Sequence, residues 1–144
     1  MWYIRQFDEL NLYDFEQILR MRQSIFILEQ KSFFEDIDGN DKKAIHIFNK
    51  ENDNIWAYVR LLIYDDKIIL GRVTVNKAKR GNGSGRQLLT KALEYCDNHF
   101  PNKNIEIVAM SYLRKFYNSL GFVSTSDVYI MDDHPHEDMI LRKN

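Results

Sequence analysis

The sequence is poor in cysteine, proline and long apolar runs, and these shortages exclude several classes of protein. Its 144 residues contain one cysteine, Cys96, so an intramolecular disulfide cannot form. Two prolines and six glycines exclude a collagen-like or low-complexity chain. No apolar run approaches the roughly 18 residues of a membrane span, and the first residues lack the pattern of a signal peptide. We therefore expect a cytoplasmic protein without membrane contact.

Net charge is also small, although charged residues are common. Charged residues make up 28% of the chain and hydrophobic residues 44%, and the formal net charge is −1. Proteins whose main contacts are with nucleic acid carry a basic excess, so we expect no such partner. A chain of this length buries about two-thirds of its unfolded surface, enough for a packed core. We expect a single domain over residues 1–144, with a monomer and a homodimer both open.

The N-terminal half has the hydrophobic pattern of a strand, a helix and a meander. Alternating residues predict a strand over 2–7. A helix should begin after Asn11, whose side chain is typical of an N-cap, and its apolar stripe reaches Phe26. Short polar turns then separate three segments that we expect to pair as antiparallel strands, over residues 44–48, 55–64 and 68–75.

The C-terminal half begins with a crossover unit. The strand at 68–75 is followed by a helical stripe from Gln87 that ends before Pro101, and then by a strand at 105–110. A strand, a helix and a strand in this order should place the two strands parallel in one sheet.

A short helix and two strands are predicted for the rest of the chain. Ser111 is typical of an N-cap, and Gly121 of the glycine that follows a helix. Strands are expected over 122–130 and, shorter, over 138–141.

The crossover contains a glycine-rich segment, Arg80-Gly81-Asn82-Gly83-Ser84-Gly85-Arg86. Alternate glycines let successive backbone N–H groups approach one anion, and a following helix adds free amides and partial positive charge. Lys77 and Lys79 add to the basic charge. Because Arg86 stands where a dinucleotide fingerprint needs a third glycine, and the P-loop Gly-Lys-Ser/Thr is missing, both are excluded. The segment predicts either a pyrophosphate site or an ordinary surface turn.

Charged residues on the first helix and after it leave several interpretations open. Arg22 faces the buried side, either as a cation at the margin of the core, which we favour, or paired with an acid of the next loop. That loop, residues 30–41, is acidic and could form a rim that attracts a cationic amine or a plain surface loop. His134-Pro135-His136 has no accompanying thiol, so we expect a polar loop there and no metal.

The order of elements and two motifs resemble the GNAT N-acetyltransferases along almost the whole chain. The motifs are Arg-x-x-Gly-x-Gly at Arg80, Gly83 and Gly85, and Phe116-Tyr117-Asn118-Ser119-Leu120-Gly121-Phe122. Arg22-Gln23-Ser24-Ile25-Phe26 and Asp38-Gly39-Asn40-Asp41 further resemble the ElaA-like branch. The resemblance implies an α/β (α+β) fold: a mixed, mostly antiparallel sheet of about six to seven strands, about four flanking helices and a central parallel pair.

The same resemblance implies a function, a cofactor and a set of site residues. Acetyl-CoA would serve as co-substrate, and a primary amine of a small molecule or peptide would attack its thioester directly in a ternary complex. Tyr117 would protonate the departing thiolate. The cofactor would contact Val73, Thr74, Val75, Arg80, Gly81, Asn82, Gly83, Ser84, Gly85 and Arg86. The acceptor would contact Arg22, Glu29, Asp38 and His46.

Two questions stay open at this level. The base that deprotonates the amine could be Glu29, Asp36, Asp38 or His46. The chain could also resemble an acyl-homoserine-lactone synthase in its chemistry, or be a CoA-binding sensor without turnover.

Overall fold

The computed structural model describes residues 1–143, which form three α-helices and eight strands. The helices are α1 (Leu12–Arg22), α2 (Ser84–His99) and α3 (Arg114–Ser119). The strands are β1 (Trp2–Gln6), β2 (Ala44–Glu51), β3 (Asn54–Ile63), β4 (Lys67–Val75), β5 (Asn104–Met110), β6 (Val123–Ser124), β7 (Tyr129–Met131) and β8 (His134–Leu141). None of the helices in this range is long and apolar enough to cross a membrane.

All eight strands belong to one sheet, ordered β1-β2-β3-β4-β5-β8-β6, with β7 also paired to β8. Strands β1 to β4 form an antiparallel meander, β4 and β5 are parallel, and β5 and β8 are antiparallel. The predicted mixed sheet with a central parallel pair is confirmed, with eight strands and three α-helices in the described range.

The helices pack on both faces of this sheet. Since alternate residues of a strand point to opposite faces, neighbouring residues of one strand contact different helices. Val59 of β3 packs in the larger core with Leu88 of α2. Its neighbour Tyr58 packs in a second cluster, with Phe48 of β2 and Ile18 of α1. The α1 face therefore carries Tyr58 and, two residues further along β3, Arg60, which shares Asp41 with Arg22 of α1.

Helix α1 starts as predicted and continues into a wider helix. The Asn11 Oδ1 atom accepts a hydrogen bond from the Asp14 N–H at 2.7 Å, which confirms the N-cap. Residues Gln23–Glu29 form a π-helix, and the Gln30 N–H donates to the Ile25 carbonyl, five residues earlier, at 2.9 Å. The predicted stripe to Phe26 thus spans two helix types. π-Helical turns are frequent at functional sites.

Four predictions for the C-terminal half need correction. Helix α2 begins at Ser84, three residues before Gln87, because Gly83 supplies the N-cap conformation. Ser111 is the first residue of a 3₁₀ turn and caps no helix. The strand predicted over 122–130 is two short pieces, β6 and β7, and the strand predicted over 138–141 is longer, because β8 extends far enough to pair with both pieces.

Helix α3 ends in the glycine predicted for it. The Gly121 N–H donates to the Asn118 carbonyl at 3.0 Å and the Phe122 N–H to the Tyr117 carbonyl at 3.1 Å, the pattern of a Schellman motif. Gly121 has φ +100°, and a Cβ built there would lie 2.9 Å from Cδ1 of Leu141. The turn thus requires glycine both for its backbone and for its packing.

Gly121→Ala should therefore lower the free energy of unfolding by about 1–3 kcal/mol, through left-handed strain and the clash with Leu141. Urea unfolding followed by circular dichroism measures this change. Gly71→Ala is the matched control, since Gly71 has no positive φ and no atom within 4 Å of an added Cβ. It should change stability by less than about 0.5 kcal/mol. An unchanged urea midpoint for Gly121→Ala would contradict this account of the turn.

Candidate functional site

A β-bulge distorts β4 where the candidate site begins. Tyr58 pairs with Thr74 and Arg60 with Gly71, so the single residue Val59 of β3 lies opposite both Arg72 and Val73 of β4. Arg72 takes the left-handed conformation, with φ +57°. A bulge of this kind bends its strand and re-aims the groups beyond it.

Strands β4 and β5 separate beyond their N-terminal halves. Their ladder pairs run only from Lys67–Asn104 to Ile69–Glu106. Past this point a cleft of about 520 Å³ opens, lined on one side by Gly71, Arg72 and Val73 and on the other by residues 107–110. The backbone of β4 from Gly71 to Val73 therefore faces the cleft without a pairing strand on that side.

Tyr117 of α3 lines the same cleft and is 6% exposed. Within residues 1–143 its hydroxyl has no hydrogen-bond partner. Two side-chain atoms in this range lack a partner and are also fully buried, and the Tyr117 hydroxyl is not one of them. The hydroxyl therefore keeps a small exposed surface, and because Tyr117 lines the cleft we infer that this surface faces it. Burial, with a smaller contribution from Tyr112, raises the pKa of Tyr117 to about 12, so the phenol keeps its proton at neutral pH.

The glycine-rich segment forms a separate feature at the start of α2. Gly81 and Gly83 have φ of +88° and +75°, and the helix begins directly after Gly83. A Cβ at either position would meet no protein atom within 4 Å. The backbone is thus open to an approaching ligand at the positive end of a 16-residue helix, as an anion site requires.

The cations of this segment are partly neutralised. Arg80 binds the Glu29 carboxylate through Nη2 at 3.0 Å, and this hydrogen bond lowers the pKa of Glu29. Lys79 lies 3.1 Å from Glu51. Arg86 donates to the Ser119 hydroxyl at 2.7 Å. Glu29, predicted to contact the acceptor, therefore links the π-helix to the glycine loop.

Arg22 is fully buried and paired with acids of the following loop, so the favoured interpretation of a cation at the core margin is wrong. Its Nε lies 3.0 Å from Asp36 Oδ2, and its Nη1 2.8 Å from Asp41 Oδ1. Burial alone would lower the Arg22 pKa, but the bond to Asp41 and the attraction of Asp36 outweigh it and raise the pKa. Arg22 is enclosed and does not line the cleft.

Two more arginines complete this group, which we call the arginine–aspartate cluster: Arg22, Arg60, Arg72, Asp36, Asp38 and Asp41. Arg60 binds Asp38 at 2.6 Å and Asp41 at 3.0 Å, and Arg72 binds Asp36 at 2.8 Å. The bond from Arg60 lowers the pKa of Asp38, and Arg22 and Arg60 together outweigh burial to lower the pKa of Asp41. Three cations balance three anions.

The loop over 30–41 is therefore neither an acidic rim nor a plain surface loop. Its aspartates bind the arginines of α1, β3 and β4, and this holds the loop against the sheet. Glu35 is the acid of this loop that lines the cleft, and it is exposed. Because these aspartates are neutralised by arginines, they give no reason to expect a cationic acceptor substrate.

His46 has no exposed surface, so it cannot contact the amine substrate as predicted. Its Nε2 lies 2.9 Å from the Asp41 carbonyl and its Nδ1 2.7 Å from the Tyr58 hydroxyl. A carbonyl can only accept, so Nε2 carries the proton and Nδ1 accepts from Tyr58. Burial lowers the pKa of His46, and the neutral ring is held as a structural residue.

The structure thus separates the predicted residues. Tyr117 and Val73 line the cleft, and the glycine segment lies outside its lining. Thr74 is 1% exposed, and its hydroxyl donates to the Tyr58 carbonyl at 3.3 Å. The sequence analysis gave no role to Arg60 or Arg72. Arg60 alternates with Tyr58 along β3 and so lies on the α1 face, whereas Arg72 is the left-handed residue of the β4 bulge.

The splayed parallel pair, the bulge and the glycine loop together define the acyl-CoA N-acyltransferase fold. A structure described as an acyl-CoA N-acyltransferase from Pseudomonas aeruginosa matches with TM-score 0.92 at 29% identity, covering 97% of this chain and 98% of that one. The AHL synthase LasI matches with TM-score 0.82 at 13% identity, covering 100% and 90%, a similarity of fold alone.

Sequence comparison identifies the family. The family model described as an acetyltransferase (GNAT) domain matches residues 15–143. The protein ElaA of Escherichia coli (strain K12) is 37% identical over 140 residues, covering 94% of this chain and 92% of that protein. The ElaA crystal structure matches with TM-score 0.92 at 36% identity, covering 97% of each chain. The chain belongs to the GNAT acetyltransferase family, and the predicted resemblance to ElaA is confirmed.

The histidines of the His-Pro-His sequence are engaged in different contacts. His134 Nε2 lies 2.8 Å from the Gln30 carbonyl, and His136 lines the cleft. Within residues 1–143, no group of three or more histidine, cysteine, aspartate or glutamate side chains is arranged to hold a metal ion.

Asp41→Asn should destabilise the protein, because it leaves Arg22 and Arg60 short of a buried counter-charge, at a cost of about 3–5 kcal/mol. The pKa values of Asp38 and Asp41 are lowered by folding. Their contribution is therefore complete above the unfolded aspartate value of about 4 and is lost as the pH falls below it. Urea unfolding from pH 7 to 3 should show this loss in wild type and a shallower one in Asp41→Asn.

Asp66→Asn serves as the control, since Asp66 lies exposed in the turn before β4. It should leave stability within about 0.5 kcal/mol at every pH. Equal stability of wild type and Asp41→Asn at pH 7 would refute a structural role for the cluster.

Proposed function

We propose that this protein transfers an acetyl group from acetyl-CoA to a primary amine of a small molecule or peptide, by direct attack in a ternary complex. The observation that carries the proposal is the cleft between β4 and β5, where unpaired strand backbone and the free Tyr117 hydroxyl line one space.

The pyrophosphate of CoA would bind the glycine segment, Arg80, Gly81, Asn82, Gly83, Ser84, Gly85 and Arg86. The N–H groups before and within the first turn of α2 lack helical partners and attract anions. Arg86 and Lys77 are exposed beside them, and neither forms an ion pair within residues 1–143. A phosphate oxygen that bound Arg80 would compete with Glu29.

The pantetheine arm would extend along β4 from Val75 to Val73, pairing with the strand backbone that β5 leaves open. The bulge would direct N–H groups near Val73 toward the acetyl carbonyl. Donors aimed at the oxygen where negative charge develops lower the barrier to attack.

Tyr117 would hydrogen-bond to the departing thiolate and donate its proton. With its pKa raised to about 12, the phenol is a weak acid but stays protonated across the working pH range. No protein thiol competes for the acetyl group, because Cys96 is buried in α2 and burial raises its pKa to about 12. This favours direct attack over an acetylated cysteine.

The acceptor would enter the rest of the cleft. Its walls include Phe26, Phe34, Leu113 and Met131, which favour an amine with an apolar or aromatic body. Arg22 and His46 are enclosed, and Asp38 is bound by Arg60, so we assign the acceptor to the cleft walls instead.

Incubation with acetyl-CoA and three primary amines tests the proposal: benzylamine, spermidine and the N-terminal amine of a short peptide. Mass spectrometry should detect an acetylated amine and free CoA. S-adenosylmethionine with acyl-CoA tests the lactone-synthase alternative. Binding of acetyl-CoA by calorimetry without any product would indicate a CoA-binding sensor and contradict the enzyme.

Glu29→Gln should strengthen acetyl-CoA binding about two- to fivefold, because it frees Arg80 for the pyrophosphate at the scale of an exposed ion pair. Calorimetry measures the change. Glu16→Gln removes another exposed pair, with Arg20 on α1, and should leave the affinity unaltered. Weaker binding in Glu29→Gln would mean that the bridge positions Arg80 for the cofactor.

Tyr117→Phe should lower kcat by about 10²–10⁴-fold, the range of general acids, while the dissociation constant for acetyl-CoA stays the same. The ring and its packing remain, so the melting temperature should hardly change. Tyr13→Phe, an exposed tyrosine of α1, is the matched control. If Tyr117→Phe kept the wild-type kcat, the prediction would be wrong and water would have to protonate the thiolate.

A further inference from the structure

His136 brings an imidazole into the cleft at the C-terminal end of β5. It pairs with Met110 in the β5–β8 ladder, is 7% exposed, and lines the same cleft as Tyr117. Its Nδ1 lies 2.8 Å from the carbonyl oxygen of His134. Because a carbonyl only accepts, the neutral ring must carry its proton on Nδ1 and its lone pair on Nε2.

The Nε2 atom is free and reachable. It has no hydrogen-bond partner within residues 1–143, where the fully buried side-chain atoms lacking partners are Ser32 Oγ and Asp41 Oδ2. Since Nε2 is not one of these, solvent reaches it. Its Nδ1 contact and a stacked Tyr129 ring, 6.4 Å away, fix the orientation of the imidazole.

The four bases considered from sequence are all engaged elsewhere. Glu29 is held by Arg80, Asp36 and Asp38 by arginines, and His46 is enclosed. The titratable and charged groups that line the cleft with His136 are Arg60, Arg72, Glu35, Tyr112, Tyr117 and Asp132, and Tyr129 of β7 stacks on its ring. Glu35 is exposed and Asp132 half-buried in a turn, whereas His136 combines burial with a fixed lone pair.

We infer that Nε2 of His136 accepts the proton that the acceptor amine loses. This inference rests on the proposed acetyl transfer. The amine nitrogen bonds to the acetyl carbon, and Nε2 takes one N–H proton as the amide forms. The C–S bond breaks with its electron pair on sulfur, and Tyr117 protonates the thiolate. The imidazolium returns one proton to the phenolate through solvent, so amine and acetyl-CoA become amide and CoA.

The test compares His136→Gln and His136→Ala with wild type, using whichever of benzylamine, spermidine and the peptide is acetylated fastest. Both variants should lose about 10²–10⁴-fold in kcat/KM at neutral pH while binding acetyl-CoA normally. Added imidazole should restore part of the rate of His136→Ala, which a merely structural role would not allow.

Several results would overturn the inference. His99→Ala, which removes an exposed imidazole at the end of α2, is the control and should match wild type. Wild-type kcat/KM in His136→Gln, together with a loss of about 10²-fold or more in Asp132→Asn or Glu35→Gln, would transfer the role to that carboxylate. Absence of any amine acetylation by wild type would instead overturn the proposed function itself.

A measurement without substrate checks the geometry independently. Nitrogen-15 NMR of the histidine rings should show His136 protonated at Nδ1 and unprotonated at Nε2 in its neutral form. A proton on Nε2 would remove the lone pair from the cleft and refute the assignment whatever the activity.

Discussion

The arginine–aspartate cluster is the interaction on which the candidate site depends. Charges buried this deeply are costly unless each is paired, and here three arginines from α1, β3 and β4 share three aspartates of one loop. Because Arg72 is also the left-handed residue of the β4 bulge, its bond to Asp36 ties the bulge to the loop. The cleft wall is therefore held by electrostatics as well as by the strand ladder.

The order of elements was predictable because it depends on local pattern. The meander, the crossover and the glycine after α3 each have a signal within a few residues, and each was confirmed. Contacts between distant residues had no such signal. The helical stripe showed that Arg22 faces inward, but its partners lie 14 and 19 residues further on, beyond any helical period. The length of β8 likewise depended on pairing with two separate pieces.

The site was predictable to the same extent. Short motifs drew attention to the glycine loop and to Tyr117, since each motif lies within a few residues, and both remain proposed parts of the site. The acceptor side was not, because charge alone cannot distinguish an acid that faces a ligand from one that an arginine neutralises. His136 shows the opposite case: its sequence context indicated a polar loop, and only the bond to the His134 carbonyl reveals which nitrogen is free.

The burial of Cys96 has a consequence for the proposed product. Free CoA is a thiol, and under oxidising conditions thiols exchange with accessible protein cysteines to form mixed disulfides. Cys96 is 0% exposed in the core between α2 and the sheet. Its raised pKa keeps the side chain protonated, and a protonated thiol does not react in this exchange. An enzyme that releases CoA at every turnover would thus offer its own product no sulfur to react with, and its activity should resist oxidative inactivation by accumulated CoA.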